Sequence, residues 1–231
     1  MGSIARTISL VIPWQELGRA SVPTGDLVLA RRGDEYAIRL RGAELMNSRA
    51  HASEELLATL GCAGLTKRSQ VRVLIGGLGM GFTTRAALGA LAPDACVEVV
   101  ELLPEIVAWN RGPLAHLADH PLDDPRVEVI VADVADRMRD ATAAYHAILL
   151  DVDNGPDAFT TPTNAALYGV RGLERARRAL VPGGVLGVWS VADDRGFTGR
   201  LRGVGFSVEQ HRVPARAHSG ARHVVWIARA P

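Results

Sequence analysis

GFSVEQHRV at 205–213 and ARHVVWIARA at 221–230, joined by PARAHSG at 214–220, decide the fold of this chain. Both runs are rich in β-formers and the connection is rich in Pro, Gly and Ser, so the pair reads as an antiparallel hairpin. What precedes it has a different character. VRVLIGG (71–77), CVEVVE (96–101), RVEVIVAD (126–133), HAILLDVD (146–153) and GVLGVWS (184–190) are short apolar runs. Runs of that kind suit parallel strands buried on both faces. Helical patterns over 82–91, 104–117, 134–141, 163–180 and 194–203 alternate with them. Such alternation specifies an α/β, doubly wound, mostly parallel sheet, which the terminal antiparallel hairpin completes to seven strands.

Upstream, residues 1–47 read as a small N-terminal β segment. Its strands are ISLVIPW (8–14), GDLVLARRG (25–33) and EYAIRLRG (35–42), with turn chemistry at Gly25-Asp26 and Arg32-Gly33-Asp34. A helix follows from Ser48 to Leu60, with Ser53 as a second candidate cap and Ala52, Leu56, Leu57 and Leu60 on its apolar face. The expected organisation is therefore 1–47 as a β segment and 48–231 as one α/β domain. The segment either covers the mouth of the site or builds a homodimer interface.

The bulk numbers exclude several classes. With 231 residues, 48% of them hydrophobic, the chain has material for one full α/β core. A net charge of +1 leaves no electrostatic footprint for nucleic acid or an anionic membrane, so neither is expected as a partner. Cys62 and Cys96 stand alone without CxxC or His spacing, which predicts reduced thiols and no metal. The first residues lack a signal-peptide core and no apolar run reaches the ~18 residues of a membrane span, so the expected compartment is the cytoplasm.

In open α/β sheets ligands sit beyond the carboxyl ends of the strands, at the reversal of strand order. The first parallel strand ends in Gly76-Gly77-Leu78-Gly79-Met80-Gly81, a turn that lets a ligand approach the backbone. Glu101 ends the second and is placed to accept hydrogen bonds from ribose hydroxyls. Asp133-Val134 ends the third, where a carboxylate and the next backbone N–H can read adenine, or where Asp133 simply caps a helix. Asp151-Val152-Asp153-Asn154-Gly155-Pro156 ends the fourth. Alternation sends Asp151 and Asp153 to one side, where carboxylates can steady an amine nucleophile and accept its proton. Asn154 and Tyr168 are the further candidates for acceptor contact.

Five segments carry a family likeness: VLIGGLGMG (73–81), VEVVELLPEIVAWNR (97–111), VEVIVADVADRM (127–138), YHAILLDVDNGP (145–156) and ALVPGGVLGVW (179–189). In content and order they resemble the catalytic domain of spermidine synthases, a branch of the class I S-adenosylmethionine-dependent methyltransferase superfamily, whose sheet is a Rossmann-like methyltransferase fold. The resemblance implies Glu101 on ribose, Asp133 on adenine and Asp151 as the catalytic carboxylate. The chain departs from that family at Gly79, where the family has an aspartate that holds the aminopropyl amine of decarboxylated S-adenosylmethionine. It departs again at Asn154, where the family has aspartate, with Asp153 one position earlier. The family's N-terminal Gln and Tyr-His-Glu elements are not evident, and His51 in SRAHASEE (48–55) reads as an exposed helix-start histidine.

Gly79 favours methyl transfer from intact S-adenosylmethionine to a small-molecule acceptor as the first expectation. Losing a carboxylate there removes a charge-assisted bond and also a repulsion against a cofactor that keeps its own carboxylate. Aminopropyl transfer from decarboxylated S-adenosylmethionine, as in a polyamine synthase, is the alternative that Asp151 and Asp153 favour. A non-catalytic nucleoside-binding protein is the third.

Overall fold

The computed structural model describes residues 12–152, 167–214 and 222–231. The chain divides into two compact units, one through Arg49 and one from Ala50. The first is an antiparallel sheet of four strands in sequential order, β1 (Gln15–Val22), β2 (Gly25–Arg32), β3 (Glu35–Leu40) and β4 (Ala43–Asn47). Leu27, Leu29, Ala37 and Ile38 are among its buried apolar residues. Glu35 is buried too, and Asn47 Nδ2 (2.7 Å) and Arg32 (2.8 Å) donate to its carboxylate. The expected first strand at 8–14 falls mostly outside the described residues; the strand that pairs with β2 begins at Gln15 instead. Trp14 lies just before it, with the guanidinium groups of Arg32 and Arg39 over its ring.

The second unit opens with α1 (Ala52–Cys62), followed by β5 (Arg72–Gly76), α2 (Phe82–Ala90), β6 (Cys96–Glu101) and α3 (Pro104–Asn110). Then come β7 (Val127–Val131), α4 (Val134–Asp140), β8 (Tyr145–Leu150), α5 (Val170–Ala179), β9 (Leu180–Ser190) and α6 (Arg195–Gly203). The hairpin β10 (Ser207–Pro214) and β11 (Arg222–Arg229) closes the unit. Its sheet has the order β7-β6-β5-β8-β9-β11-β10. The four pairings from β7 to β9 are parallel, while β11 runs antiparallel to both β9 and β10. This is the doubly wound sheet with a reversed terminal hairpin that the sequence specifies. Val73, Leu74 and Ile75 of β5 are wholly buried, as a central parallel strand covered on both faces requires.

Two elements differ from the sequence reading for identifiable reasons. The helix expected over 104–117 stops at Asn110 and continues as short 3₁₀ turns at Ala115–Ala118 and Pro121–Asp123. Gly112-Pro113 breaks it, since proline offers no N–H and disfavours helical geometry in the residue before it. β9 begins at Leu180, earlier than expected, because the Pro-Gly-Gly segment enters the strand as an irregularity opposite Tyr145 and Ala147.

The chain winds β5, β6, β7 outward, then crosses back to place β8 on the other side of β5. That reversal puts the carboxyl ends of β5 and β8 side by side. α1 packs against α2 and over β8, β9 and β11. Gly61 and Gly187 permit this: a Cβ on Gly61 would stand 2.4 Å from Leu149 Cδ2, and one on Gly187 2.9 Å from Leu57 Cδ1. The first turn of α1 is thereby held beside the first turn of α2, immediately after the glycine loop.

Candidate active site

The glycine loop is shaped by its neighbours. Gly77 has φ +87°, and a Cβ there would fall 2.2 Å from the carbonyl oxygen of Asp151. Both its conformation and the proximity of β8 therefore demand glycine. The Asp151 N–H in turn donates to the Gly76 carbonyl at 2.8 Å. Gly81, at φ +86°, precedes α2, where a Cβ would press on Pro121 and Ala118. Gly79 lies at φ +54°, and its carbonyl accepts from Asn110 Nδ2 at 2.8 Å. Asn110 also donates to the Ile106 carbonyl within α3, so a fully buried amide pins the loop to the helix that follows β6.

Glu101, 8% exposed, holds the loop from the other side. Its Oε2 accepts from the Leu78 N–H and its Oε1 from the Leu103 N–H, both at 2.9 Å. This arrangement orients the carboxylate beside the glycine loop. Asp133 caps α4, with Oδ1 accepting from the Ala135 N–H at 2.8 Å. The capping reading and the adenine reading are compatible, because the cap uses one oxygen. The Val134 side chain belongs to the core, against Gly76.

Asp151 follows the end of β8 and is partly buried beside the loop. Thr83, 2% exposed on α2, donates its hydroxyl to Asp151 Oδ2 at 2.6 Å. Burial pushes the Asp151 carboxyl up to about 6; the Thr83 hydrogen bond opposes that rise and the Glu101 charge adds to it. A carboxyl in that range is mostly ionised at neutral pH yet basic enough to accept a proton. Across the same gap, on α1, burial, then the charges of Asp151 and Glu55, push the Glu54 carboxyl well above the usual carboxylate range. His51 stacks on Phe82 with ring centroids 4.4 Å apart, and its Nδ1 lies 2.9 Å from Glu55 Oε1.

The structure thus brings Gly76, Gly77, Gly79, Gly81, Glu101 and Asp151 together at the switch point, with Asp133-Val134 at the start of the next helix. Asp153 and Asn154 lie outside the described residues. Tyr168 is 1% exposed, lies edge-on to Phe197, and its hydroxyl stands 3.4 Å from the Val152 carbonyl. Sequence reasoning missed Glu54, Thr83 and Asn110. Of these only Asn110 carried a signal, as an amide in a helix just past the Glu101 strand end. Among the described residues no cluster of His, Cys, Asp and Glu could hold a metal ion, and no helix is long and apolar enough to cross a membrane.

No family model matches the chain. Its sequence is 30% identical over 166 residues to a polyamine aminopropyltransferase of Mycobacterium tuberculosis (strain ATCC 25618 / H37Rv), a match that covers 70% of this chain and 30% of that protein. The chain therefore spans under a third of the length of that relative. In three dimensions it is similar to the spermidine synthase of Thermotoga maritima, with a TM-score of 0.76 at 19% identity over 94% of this chain and 73% of the other. It also matches the CurJ carbon methyltransferase, with a TM-score of 0.55 at 15% identity over 77% of this chain and 54% of the other. The two structural matches speak to fold alone.

Proposed function

From a chain that is spermidine synthase-like in sequence and has the class I methyltransferase fold, we infer an enzyme that transfers an aminopropyl group from decarboxylated S-adenosylmethionine to an amine of a small polyamine acceptor. The observation that carries this reading is Asp151, held at the switch point with the Thr83 hydroxyl donating to its Oδ2 at 2.6 Å. The residues fit the nucleoside in kind. Glu101 presents a carboxylate beside the glycine loop, and Asp133 keeps one oxygen uncommitted by its cap. Methyl transfer, the first expectation, has support only at the level of the fold, whereas the relative that matches in sequence is an aminopropyltransferase.

Decarboxylated S-adenosylmethionine supplies, when bound, a carbon activated by its sulfonium. The chain's own residues do the rest. Glu101 orients the ribose through hydrogen bonds to its hydroxyls, and the glycine loop fixes Glu101 through the Leu78 N–H. Asp151 accepts the proton that the acceptor's attacking amine must lose, and the Thr83 hydroxyl steadies its ionised form. In the balanced reaction a C–N bond forms as the C–S bond breaks, methylthioadenosine leaves as a neutral thioether and the proton passes to Asp151. Fixing the geometry for such a displacement can supply about 7–11 kcal/mol of the barrier.

The test is to incubate the protein with decarboxylated S-adenosylmethionine and putrescine and to follow methylthioadenosine and the aminopropylated product together. Both should appear in equal amounts, and Asp151→Asn should lower kcat by about a hundredfold or more while leaving methylthioadenosine affinity unchanged. Turnover of intact S-adenosylmethionine with methylation of the amine, and none of the decarboxylated form, would restore the methyl-transfer reading.

A further inference from the structure

Three polar side chains meet on the sheet face that α1 covers, at the end of β9, the strand beside the one that leads into Asp151. Gly187 and Trp189 are two apart on β9 and share a face. Ile227 and Val225 of β11 stand opposite them, which puts His223 on that face as well. Leu57 of α1 covers Gly187, and one helical turn earlier Ser53 meets Trp189 and His223. Trp189 Nε1 donates to Ser53 Oγ at 2.9 Å, and His223 Nδ1 lies 2.8 Å from the same oxygen. The indole and imidazole rings stand edge to face with centroids 4.9 Å apart.

The donors fix the direction of these bonds. An indole N–H only donates, so Ser53 Oγ accepts from Trp189. Ser53 is 2% exposed and its own hydroxyl proton needs an acceptor, which among the described residues is His223 Nδ1. Neutral His223 therefore carries its proton on Nε2. A proton on Nδ1 would set donor against donor, and Ser53 Oγ could accept it only by leaving its hydroxyl proton buried without a partner. Burial acts in the same direction and lowers the His223 value from 6.5. Ser53 reaches the ring from α1 and Trp189 from β9, Val213 stands opposite it on β10, and Arg222 precedes it on β11. Among the described residues neither Arg222 nor the acids next to Ser53, Glu54 and Glu55, form an ion pair with it.

The same turn of α1 borders the catalytic carboxylate. The Glu54 carbonyl, one residue past Ser53, stands 3.5 Å from Thr83 Oγ1, which donates to Asp151 Oδ2 at 2.6 Å. We propose that Ser53 and His223 are positioning residues: the chain from Trp189 through Ser53 to His223 latches the first turn of α1 onto the sheet, fixes the wall beside Thr83 and Asp151, and opens when His223 takes up a second proton. The latch serves this site whichever group of the cofactor is transferred.

The indole N–H signal of Trp189, identified by its loss in Trp189→Phe, reports the chain directly in heteronuclear NMR. In the wild type it should move as pH falls below 6.5. In His223→Asn, whose Oδ1 can accept from Ser53 and does not titrate, it should stay fixed. Well above that pH, Ser53→Ala and His223→Phe should lower kcat for aminopropyl transfer by about ten- to a hundredfold, the scale of a small misplacement. His223→Asn should restore most of what His223→Phe loses. All three variants should bind methylthioadenosine within about twofold of wild type, which also shows that they are folded. A Trp189 signal that stays put in the wild type, or moves equally in His223→Asn, overturns the latch. Wild-type kcat in both Ser53→Ala and His223→Phe overturns the positioning role. A wild type that transfers no aminopropyl group refutes the function proposed above, and the NMR titration then decides the latch alone.

Discussion

Replacing Thr83 with valine removes one oxygen from α2 while keeping the shape of the side chain, and that oxygen is the donor 2.6 Å from Asp151 Oδ2. At 2% exposure, Thr83 leaves little room for water to take the place of the lost hydroxyl. A hydrogen bond to a charged group contributes about 1.5–3 kcal/mol, and one pKa unit corresponds to about 1.36 kcal/mol. The bond favours the ionised carboxylate, so its loss raises the Asp151 value by about one to two units. The acid limb of kcat/KM for aminopropyl transfer should therefore lie near 6 in the wild type and between about 7 and 8 in the variant. The limb is a property of Asp151 together with the charges that face it, Glu54 on α1 and Glu101 on β6. Above the limb the variant should recover most of the wild-type rate. A limb that stays put or moves down refutes Asp151 as the proton acceptor. A rate loss independent of pH assigns Thr83 to positioning alone. Stability follows the same proton: the folded state holds it more tightly than the unfolded chain, whose carboxyl has the ordinary value of 3.8. That contribution is full below about 4 and is lost as pH rises through about 6.

Two further substitutions separate binding from stability. Glu101→Gln turns an N–H₂ toward either the Leu78 or the Leu103 N–H, donor against donor; methylthioadenosine should bind at least about tenfold more weakly in calorimetry, and unchanged affinity would remove Glu101 from the ribose site. Glu98, 1% exposed, accepts from Arg72, Arg137 and Tyr145, and its loss should lower the urea-derived stability by about 3 kcal/mol. That is the low end for a broken buried pair because the two guanidinium groups, 48% and 39% exposed, stay solvated. Burial raises the Glu98 carboxyl, but the bonds from Arg137, Arg72 and Tyr145 outweigh it and hold the group below the usual range. The wild type should consequently lose this stability only as pH falls through that lowered value, and Glu98→Gln should flatten the acid side of the unfolding profile. An unfolding midpoint within experimental error of the wild type would show the network to be idle.

The sheet was legible because its signals are local. Continuous apolar runs mark β5 and β8 as covered on both faces, and the turn-rich segment between β10 and β11 marks the reversal. Strand ends could then be read for chemistry, which is why Glu101, Asp133 and Asp151 fell where the topology places them. For Tyr168, helical distance from a loop does not give the face a ring takes, and in the fold it lies edge-on to Phe197. In the N-terminal unit β1 was passed over because QELGRASV is mostly polar, and its pairing with β2 rests on backbone hydrogen bonds with little apolar alternation to betray it.

Glu54 shows where strand-end reasoning stops. Thr83 lies 29 positions beyond Glu54 and 68 before Asp151, and only the packing of α1 on α2 brings the three together. Nothing in SEELLA distinguishes Glu54 from Glu55: both are acidic residues in a first helical turn, where either stabilises the helix dipole. Arg85 makes the difference by pairing with one and leaving the other. A loop that reads as stripped of its carboxylate at Gly79 therefore does not fix the charge of the pocket it borders. Burial, with the charges of Asp151 and Glu55, holds the Glu54 carboxyl well above the usual carboxylate range.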